Sequence, residues 1–340
     1  MPTAADHFVA IAKESTFGTA VTPTRAYPFM DGTESDFDKR PRTGMGITGG
    51  FGRRTQLGTR TYVTAGQGTI KIKAEVESRA MGVLLDLALG VSSTAVITGG
   101  TQQVFHAGIT GMLLPSATIQ VAKVRNDGTY LVETYRGCTA SKVTIEQPED
   151  DILFVEVEFD ALAMTTATAA ITPSYAATTT LIDATYATVS YGGAVTVPTT
   201  TALGSVATAS TVFRSFKIEL DQKISTDGWL LNASSIRTQP KAGTPEFKFS
   251  GDVELTDSVF TDDFLAGTKK GFACTWTTPE VLGPGFAQVQ VLLPHIMITK
   301  GIAQVKPGET PTAFTIEAEI RNDGTNRDLY VVTRTADTAL

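Results

Sequence analysis

Apolar and polar residues alternate with a period of two along much of this 340-residue chain. "TIKIKAEVE" (69–77) sets Ile70, Ile72, Ala74 and Val76 on one face and Lys71, Lys73, Glu75 and Glu77 on the other. "ILFVEVEFDA" (152–161) opposes Val155, Val157 and Phe159 to Glu156, Glu158 and Asp160. "SFKIELDQKI" (215–224), "EFKFSGDVEL" (246–255) and "FTIEAEI" (314–320) repeat the pattern. Each predicts a strand with one buried and one polar face. Turn chemistry separates them: "QPEDD" (147–151), "NDG" at 126–128 and 322–324, and "KPGET" (306–310).

Only two segments have helical spacing. "SRAMGVLLDLALG" (78–90) carries Met81, Leu84, Leu85 and Leu89, and Gly90 is its expected stop. "TDSVFTDDFLAG" (256–267) opens on a Thr-Asp cap, carries Val259, Phe260 and Phe264, and stops at Gly267. The two are related. Sliding the chain by 177 residues lays 69–90 on 246–267 without a gap, so that Ile70 meets Phe247, Ile72 meets Phe249 and Gly90 meets Gly267. At a shorter offset "VEVEFDA" (155–161) matches "IEAEIRN" (316–322), and a hairpin precedes each. These matches predict a mainly β chain in which a strand–helix–strand–hairpin unit is used twice. A rival register aligns the two "RNDGT" runs (125–129 and 321–325), whose turn residues recur by composition alone. Between the halves, 165–213 is rich in Thr and Ala with Asp183 as its only charge. It reads either as a linker or, through "YATVSYGGAVTV", as a hairpin around Gly192 and Gly193.

Composition narrows the function. Charged residues are 19% of the chain, below the usual value of about 25%, as expected of a surface partly covered by copies of itself. The net charge is −7 and no Lys/Arg cluster occurs, which argues against a duplex-gripping basic face. No apolar run has the length of a membrane span, and the first residues lack a secretory signature. Two distant cysteines, Cys138 and Cys274, are no disulfide framework, and a reducing cytoplasm is the expected site of synthesis.

Candidate chemistry dissolves on inspection. "GMGITGG" (44–50) satisfies G-x-G-x-x-G but lacks the preceding apolar strand and following helix that bring phosphate to a helix N-terminus. His7, His106 and His295 have no second ligand at metal spacing. Cys138, in an alternating strand, reads as a small buried hydrophobe rather than a nucleophile. "EDD" (149–151) is a turn, "TDD" (261–263) lies in a short helix, and the Asn232-Ala233-Ser234 glycosylation triplet follows no signal peptide. The sequence predicts no catalytic residue, metal or cofactor site, and no enzyme. What stands out is that the polar strand faces are rich in acids: Glu75, Glu77, Glu156, Glu158, Asp160, Glu219, Asp221, Asp252, Glu254, Glu317 and Glu319 outnumber Lys71, Lys73, Lys217 and Lys248. A solvated sheet face with ordinary solubility charges is the plain alternative.

The order of motifs resembles the siphophage-type tail tube proteins. "IAKESTFGTAVTPTRAYPF" is similar to that family's start, with an E-x-x-x-G-T core at Glu14, Gly18 and Thr19. "KIKAEVESRAMGVLLDLALG" resembles its strand and leucine-glycine helix, "YRGCTASKVTIEQPEDDILFVEVEFDAL" its G-C strand and hairpin, and "FKFSGDVELTDSVFTDDFLAGT" its later strand–helix segment. Ala74 departs from the glycine expected in the first strand. The resemblance implies a virion protein: a duplicated β-sandwich, each half with one short flanking helix, polymerising into stacked rings that form the DNA-ejection conduit of a long-tailed phage. The expected organisation is an assembly arm at 1–24, with Glu14, Phe17, Gly18 and Thr19 finding their partner in a neighbouring subunit. A tube-like half at 25–164, a connecting segment at 165–210 and a second half at 211–340 follow. Three copies, a trimer with pseudo-sixfold symmetry, would close a barrel of about 24 strands, roughly 48 Å across; a hexamer is the alternative ring. Glu156, Glu158, Asp160, Glu317 and Glu319 would line its channel, and hairpins such as 123–135 would meet the next ring. Implied partners are sister copies, the tape measure and terminator proteins of the tail, and passing duplex DNA. A glycan-binding or adhesive β-sandwich module, or a terminator or baseplate protein of the same fold, are the alternatives; the former expects aromatics in a groove, whereas Trp229 and Trp276 stand apart in sequence.

Overall fold

A computed structural model describes residues 7–43, 61–107, 113–210, 212–230, 237–303, 313–322 and 324–340. The glycine-rich 44–50 run, the Asn232 triplet and the 306–310 turn lie outside the described residues. In chain order come β1 (Phe8–Lys13), β2 (Arg25–Pro28), β3 (Glu34–Thr43), β4 (Thr61–Glu75), α1 (Gly82–Leu89), β5 (Gly90–Ile97), β6 (Gly100–Ala107), β7 (Ser116–Val124), β8 (Tyr130–Gln147), β9 (Phe154–Ala161) and β10 (Ala163–Thr165). Then follow β11 (Ala187–Tyr191), β12 (Val195–Thr196), β13 (Ser205–Val206), β14 (Ala209–Ser210), β15 (Phe213–Asp221), β16 (Glu246–Glu254), α2 (Val259–Ala266), β17 (Lys269–Leu282), β18 (Gly285–Lys300), β19 (Ala313–Ile320) and β20 (Tyr330–Thr335). The protein is mainly β, with two short helices and one large antiparallel sheet.

The alternating segments pair side by side. Antiparallel ladders run β3-β4-β9-β8-β15-β16-β19-β18, an eight-strand central run. β8 and β18 are long enough to serve two ladders. The first part of β8 leaves the central run and pairs with β7 and β10, β7 pairs in turn with β1, and β1 with β2. β18 pairs with β17 as far as Met297 and, in its first part, also with β20, extending to β11 and β14 on one side and to the β6–β5 hairpin on the other. Each long strand turns this corner at a bulge. In β8 the register slips beside Gly137, whose φ of 63° side chains rarely adopt. In β18 it slips at Pro294, whose missing N–H costs nothing where the ladder is already broken.

Bending the sheet brings its apolar faces together. Val9 and Ile11 of β1 and Ile119 of β7 share one core with Ile70, Ile72, Val157 and Phe159 of the central run. That core continues without a break through Phe216, Phe249, Phe272 and Trp276, so the chain does not separate into two independent cores. The later part is aromatic: Phe213, Phe216, Phe249 and Phe272 meet at centroid distances of 4.8–6.4 Å. Trp276 is fully buried, and its indole N–H donates to Gln147 of β8 at 3.0 Å.

The helices differ. Gly90 (φ 92°) and Gly267 (φ 61°) close them in the left-handed conformation. α1 buries seven of its eight residues, whereas α2 buries only Phe260 and Asp263. At α2 the cap is made by Asp257, which accepts the Val259 N–H at 3.0 Å, while Ser258 holds the cap position. The Thr/Ala-rich segment contains β11 to β14 rather than a plain linker. Gly192 and Gly193 turn the chain there (φ 97° and 60°), but β11 pairs with β17 and β14 and not with the residues just after the glycines.

Truncating Trp276 to Ala should lower the unfolding free energy by about 3–5 kcal/mol in urea titration. A loss under about 1 kcal/mol would mean that this ring is not packed as described.

Candidate functional site

The residues with the most pronounced pattern lie on the polar face of the central run. Directly opposed residues of antiparallel neighbours share a face, so the ladders define rows across the sheet. One row reads Glu34, Lys71, Glu158, Lys142, Asp221, Glu246. The next reads Lys73, Glu156, Thr144, Glu219, Lys248, Glu319, Met297. A third reads Glu75, Phe154, Glu146, Lys217, Ser250, Glu317, Lys300. Together they hold ten carboxylates and six lysines, and the sign of charge largely alternates.

Five of the six ammonium groups are engaged by carboxylates. Lys71 meets Glu156 at 3.0 Å, Lys142 meets Glu158 at 4.0 Å, Lys217 meets Glu219 at 2.7 Å, Lys248 meets Glu246 at 3.0 Å and Lys300 meets Glu317 at 2.6 Å. Lys73 instead lies 4.7 Å over the Phe154 ring. Hydrogen bonding to Glu156 holds the Lys71 ammonium above its ordinary range, and Glu219 does the same for Lys217. Hydrogen bonds from Lys223 and Lys248 hold the Glu246 carboxyl below its own. Lys71, Lys217 and Glu246 therefore stay charged at neutral pH. Solvent screens these pairs and their individual contributions to stability are small, but their effect on the face is collective. Five of its six ammonium groups are internally neutralised, and Glu34, Glu75 and Glu146 have no ion-pair partner among the described residues.

The acidic residues singled out from sequence separate here. Glu156, Glu158, Glu317 and Glu319 sit in the rows, with Glu319 also pairing with Arg321. Asp160 keeps the same parity on β9 but is only 5% exposed, because Arg237 lies over it in a direct ion pair and Gln67 donates to it at 2.7 Å. Arg237 is itself buried. No sequence pattern marks this residue, since it stands 77 positions from its partner.

The N-terminal segment is anchored within the chain at Glu14, while Ser15, Thr16, Thr19, Ala20 and Thr22 stay exposed. Glu14 is buried, and its carboxylate accepts from the Gly18 and Gly137 N–H groups (both 2.9 Å), Ser116 Oγ (2.8 Å) and Thr118 Oγ1 (2.9 Å). The glutamate of E-x-x-x-G-T thus joins the glycine of its own motif to the glycine of the G-C strand. Gly18 has φ 73°, and a Cβ there would stand 2.9 Å from Leu162. Phe17 lies against Gly137, and Thr19 is exposed after a turn in which its N–H donates to Thr16.

Nothing among the described residues assembles a reactive centre. Burial pushes both cysteine thiols well above their ordinary range, so neither is a ready thiolate. Burial, and then Arg327, lowers the pKa of His106. No group of three His, Cys, Asp or Glu that could hold a metal occurs among the described residues, and no helix among them is long and apolar enough to cross a membrane. With Trp276 in the core, that ring is not part of a surface groove.

The family described as "Phage tail tube protein" matches residues 4–326, and the chain belongs to that family. It is a structural, non-enzymatic component of the virion tail, and the family implies self-polymerisation. No curated protein matches the chain.

Replacing Arg237 with Met should strand the buried Asp160 carboxylate and cost about 3–5 kcal/mol in urea unfolding. The double variant with Asp160→Leu should recover part of that loss. Equal stability of the Arg237→Met single variant and the unaltered protein would contradict the pairing.

Proposed function

We propose that this chain is the repeating subunit of the tail tube: copies close into rings, the rings stack, and the genome leaves the head through the resulting channel. The observation that carries this reading is the eight-strand central run. Among the described residues β3 pairs only with β4, and the last residues of β18 pair on one side only. Sheet edges left in this state invite further strands, and closure into a barrel removes them. Three copies would supply about 24 strands and a backbone diameter of roughly 48 Å.

A duplicated architecture within each chain fits the trimer better than a hexamer of single units. Several features support duplication. β1, β2, β3, β4, β7, β8, β9 and β10 pair among themselves as β11, β14, β15, β16, β17, β18, β19 and β20 do. The helices are both eight residues long and 177 positions apart. Ala74 opposes Val155 as Gly251 opposes Ile316, which satisfies both sequence offsets at once. Asp86 and Asp263 also correspond. Both are buried, and each ties its helix to the matching strand, Asp86 through Lys13 of β1 (2.6 Å) and Asp263 through Tyr191 of β11 (2.9 Å). On this basis the repeated units run from about β1 to β10 and from β11 to β20, with the β5–β6 and β12–β13 hairpins as insertions.

The polar rows would face the channel, with Glu156, Glu158, Glu317 and Glu319 among the lining groups and Asp160 excluded by its cover of Arg237. A wall whose lysines already hold carboxylates offers phosphates little reason to release their counterions. DNA would remain hydrated and mobile in it. Tape measure and terminator proteins would be the other tail partners.

Electron microscopy of the purified protein should show hollow rods of uniform width, and particles that never polymerise would overturn this reading. In assembled rods, Glu158→Lys with Glu319→Lys should make the tube retain short duplex DNA at low salt and lose it steeply as salt rises. Retention unchanged from the unaltered tube would place these residues away from the channel.

A further inference from the structure

α1 and α2 occupy matching positions, yet only α1 is covered. Its cover comes from the later part of the chain. The Ala80 N–H donates to Asp337 at 2.6 Å, the Arg79 guanidinium donates to Glu280 of β17 at 2.8 Å, and a Cβ on Gly82 would stand 3.0 Å from Leu340. Alongside, β15 pairs with the outer edge of β8 over Lys142–Gln147. Among the described residues nothing does this for α2. Leu255, Val259 and Leu265 are 41%, 44% and 71% exposed, and Ile302 nearby is 56% exposed. Gly301 packs under α2, where the Thr261 hydroxyl donates to its carbonyl at 2.9 Å. The helix and the open edge of β18 thus form one continuous face that is both apolar and short of backbone partners.

We infer that this face is covered by the early part of a second copy of this chain, in the way the α1–β8 face is covered within the chain. This seam rests on the ring reading above and gives it a register. Within the chain, Glu219 opposes Lys248 on one side and Thr144 on the other. Glu34 opposes Lys71 as Glu219 opposes Lys248, and Lys300 opposes Glu317 as Thr144 opposes Glu156. Carrying the β8–β15 ladder over therefore sets Glu34 of the second copy opposite Lys300. Charge agrees with the geometry. The row that ends in Glu317 and Lys300 runs on into Glu34, Lys71, Glu158 and Lys142 of the next copy, with the sign alternating across the join. Beside it, the inward pair Ile145–Ile218 of the internal ladder is replaced by Gly301 and Thr33, so the seam is less apolar than its internal counterpart. The exposed acids of β3 (Glu34, Asp36 and Asp38) discourage an uncharged edge from pairing there.

The test uses the full chain with Glu34→Cys and Lys300→Cys together. Cys138 and Cys274 are buried and should stay silent. Mild oxidation of assembled rods should yield a ladder of disulfide-linked multimers on a non-reducing denaturing gel, and neither single variant should. Leu265→Asp should abolish rods while leaving the urea midpoint of the subunit unchanged. Glu34→Lys should impair assembly, with Lys300→Glu in the same chain restoring it. Rods that form normally without the cross-link, and equally well with Leu265→Asp, would overturn this seam and leave the ring reading standing. Failure of the unaltered chain to form rods would instead sink the ring reading, and the seam with it.

Discussion

The ladder between β8 and β15 is the contact on which the rest of the structure depends. It joins what would otherwise be two four-strand sheets into one, through Ile145 opposite Ile218 and Val143 opposite Leu220. Those side chains enter the shared core, and Trp276 reaches Gln147 at the same junction. Because side chains alternate with a period of two, this register also decides which residues share the outer face. A slip of one position would send Lys217, Glu219 and Asp221 inward and dismantle the charge rows. The sheet is continuous inside the chain, and its continuity toward other copies is then a question about two remaining edges.

Buried charge marks the places where chain segments distant in sequence must meet at one geometry. Glu14 ties the first strand to the corner of β8, Asp160 holds Arg237 against β9, and Asp86 and Asp263 fix the helices. A carboxylate taken from water needs its hydrogen bonds replaced, and each of these has at least two donors. Such sites stabilise little in net terms, yet they are costly to break halfway. They are suited to defining corners in this sheet.

Much of this was legible in the amino-acid order. Strict alternation marks β4, β9, β15, β16 and β19, because each has one face in the core and one in solvent. The eight-residue helices and their glycine stops are visible for the same reason: local spacing and a left-handed cap are local properties. The β5–β6 hairpin was not legible, since "GTQQVF" buries Gln102 and Gln103 beside β20 and so breaks the alternation. β11 was legible only as one of two alternatives, because its Thr- and Ala-rich surroundings also read as a linker. The partners of Glu14 and Asp160 were invisible because they depend on tertiary proximity, and a motif's spacing does not reveal what its glutamate will hold. The acidic bias of the polar faces was readable, but not its compensation. Only the ladders show that nearly every lysine there stands next to a carboxylate.

The central claim is that the central run of one copy continues by backbone hydrogen bonds into the next. A high-resolution density map of the assembled rod decides it directly. The account predicts one closed antiparallel barrel of about 24 strands per ring, with β3 of each copy beside β18 of its neighbour and the carboxylate rows turned inward. A ring held together only by side chains or loops, with both edges of the run still open, would contradict it.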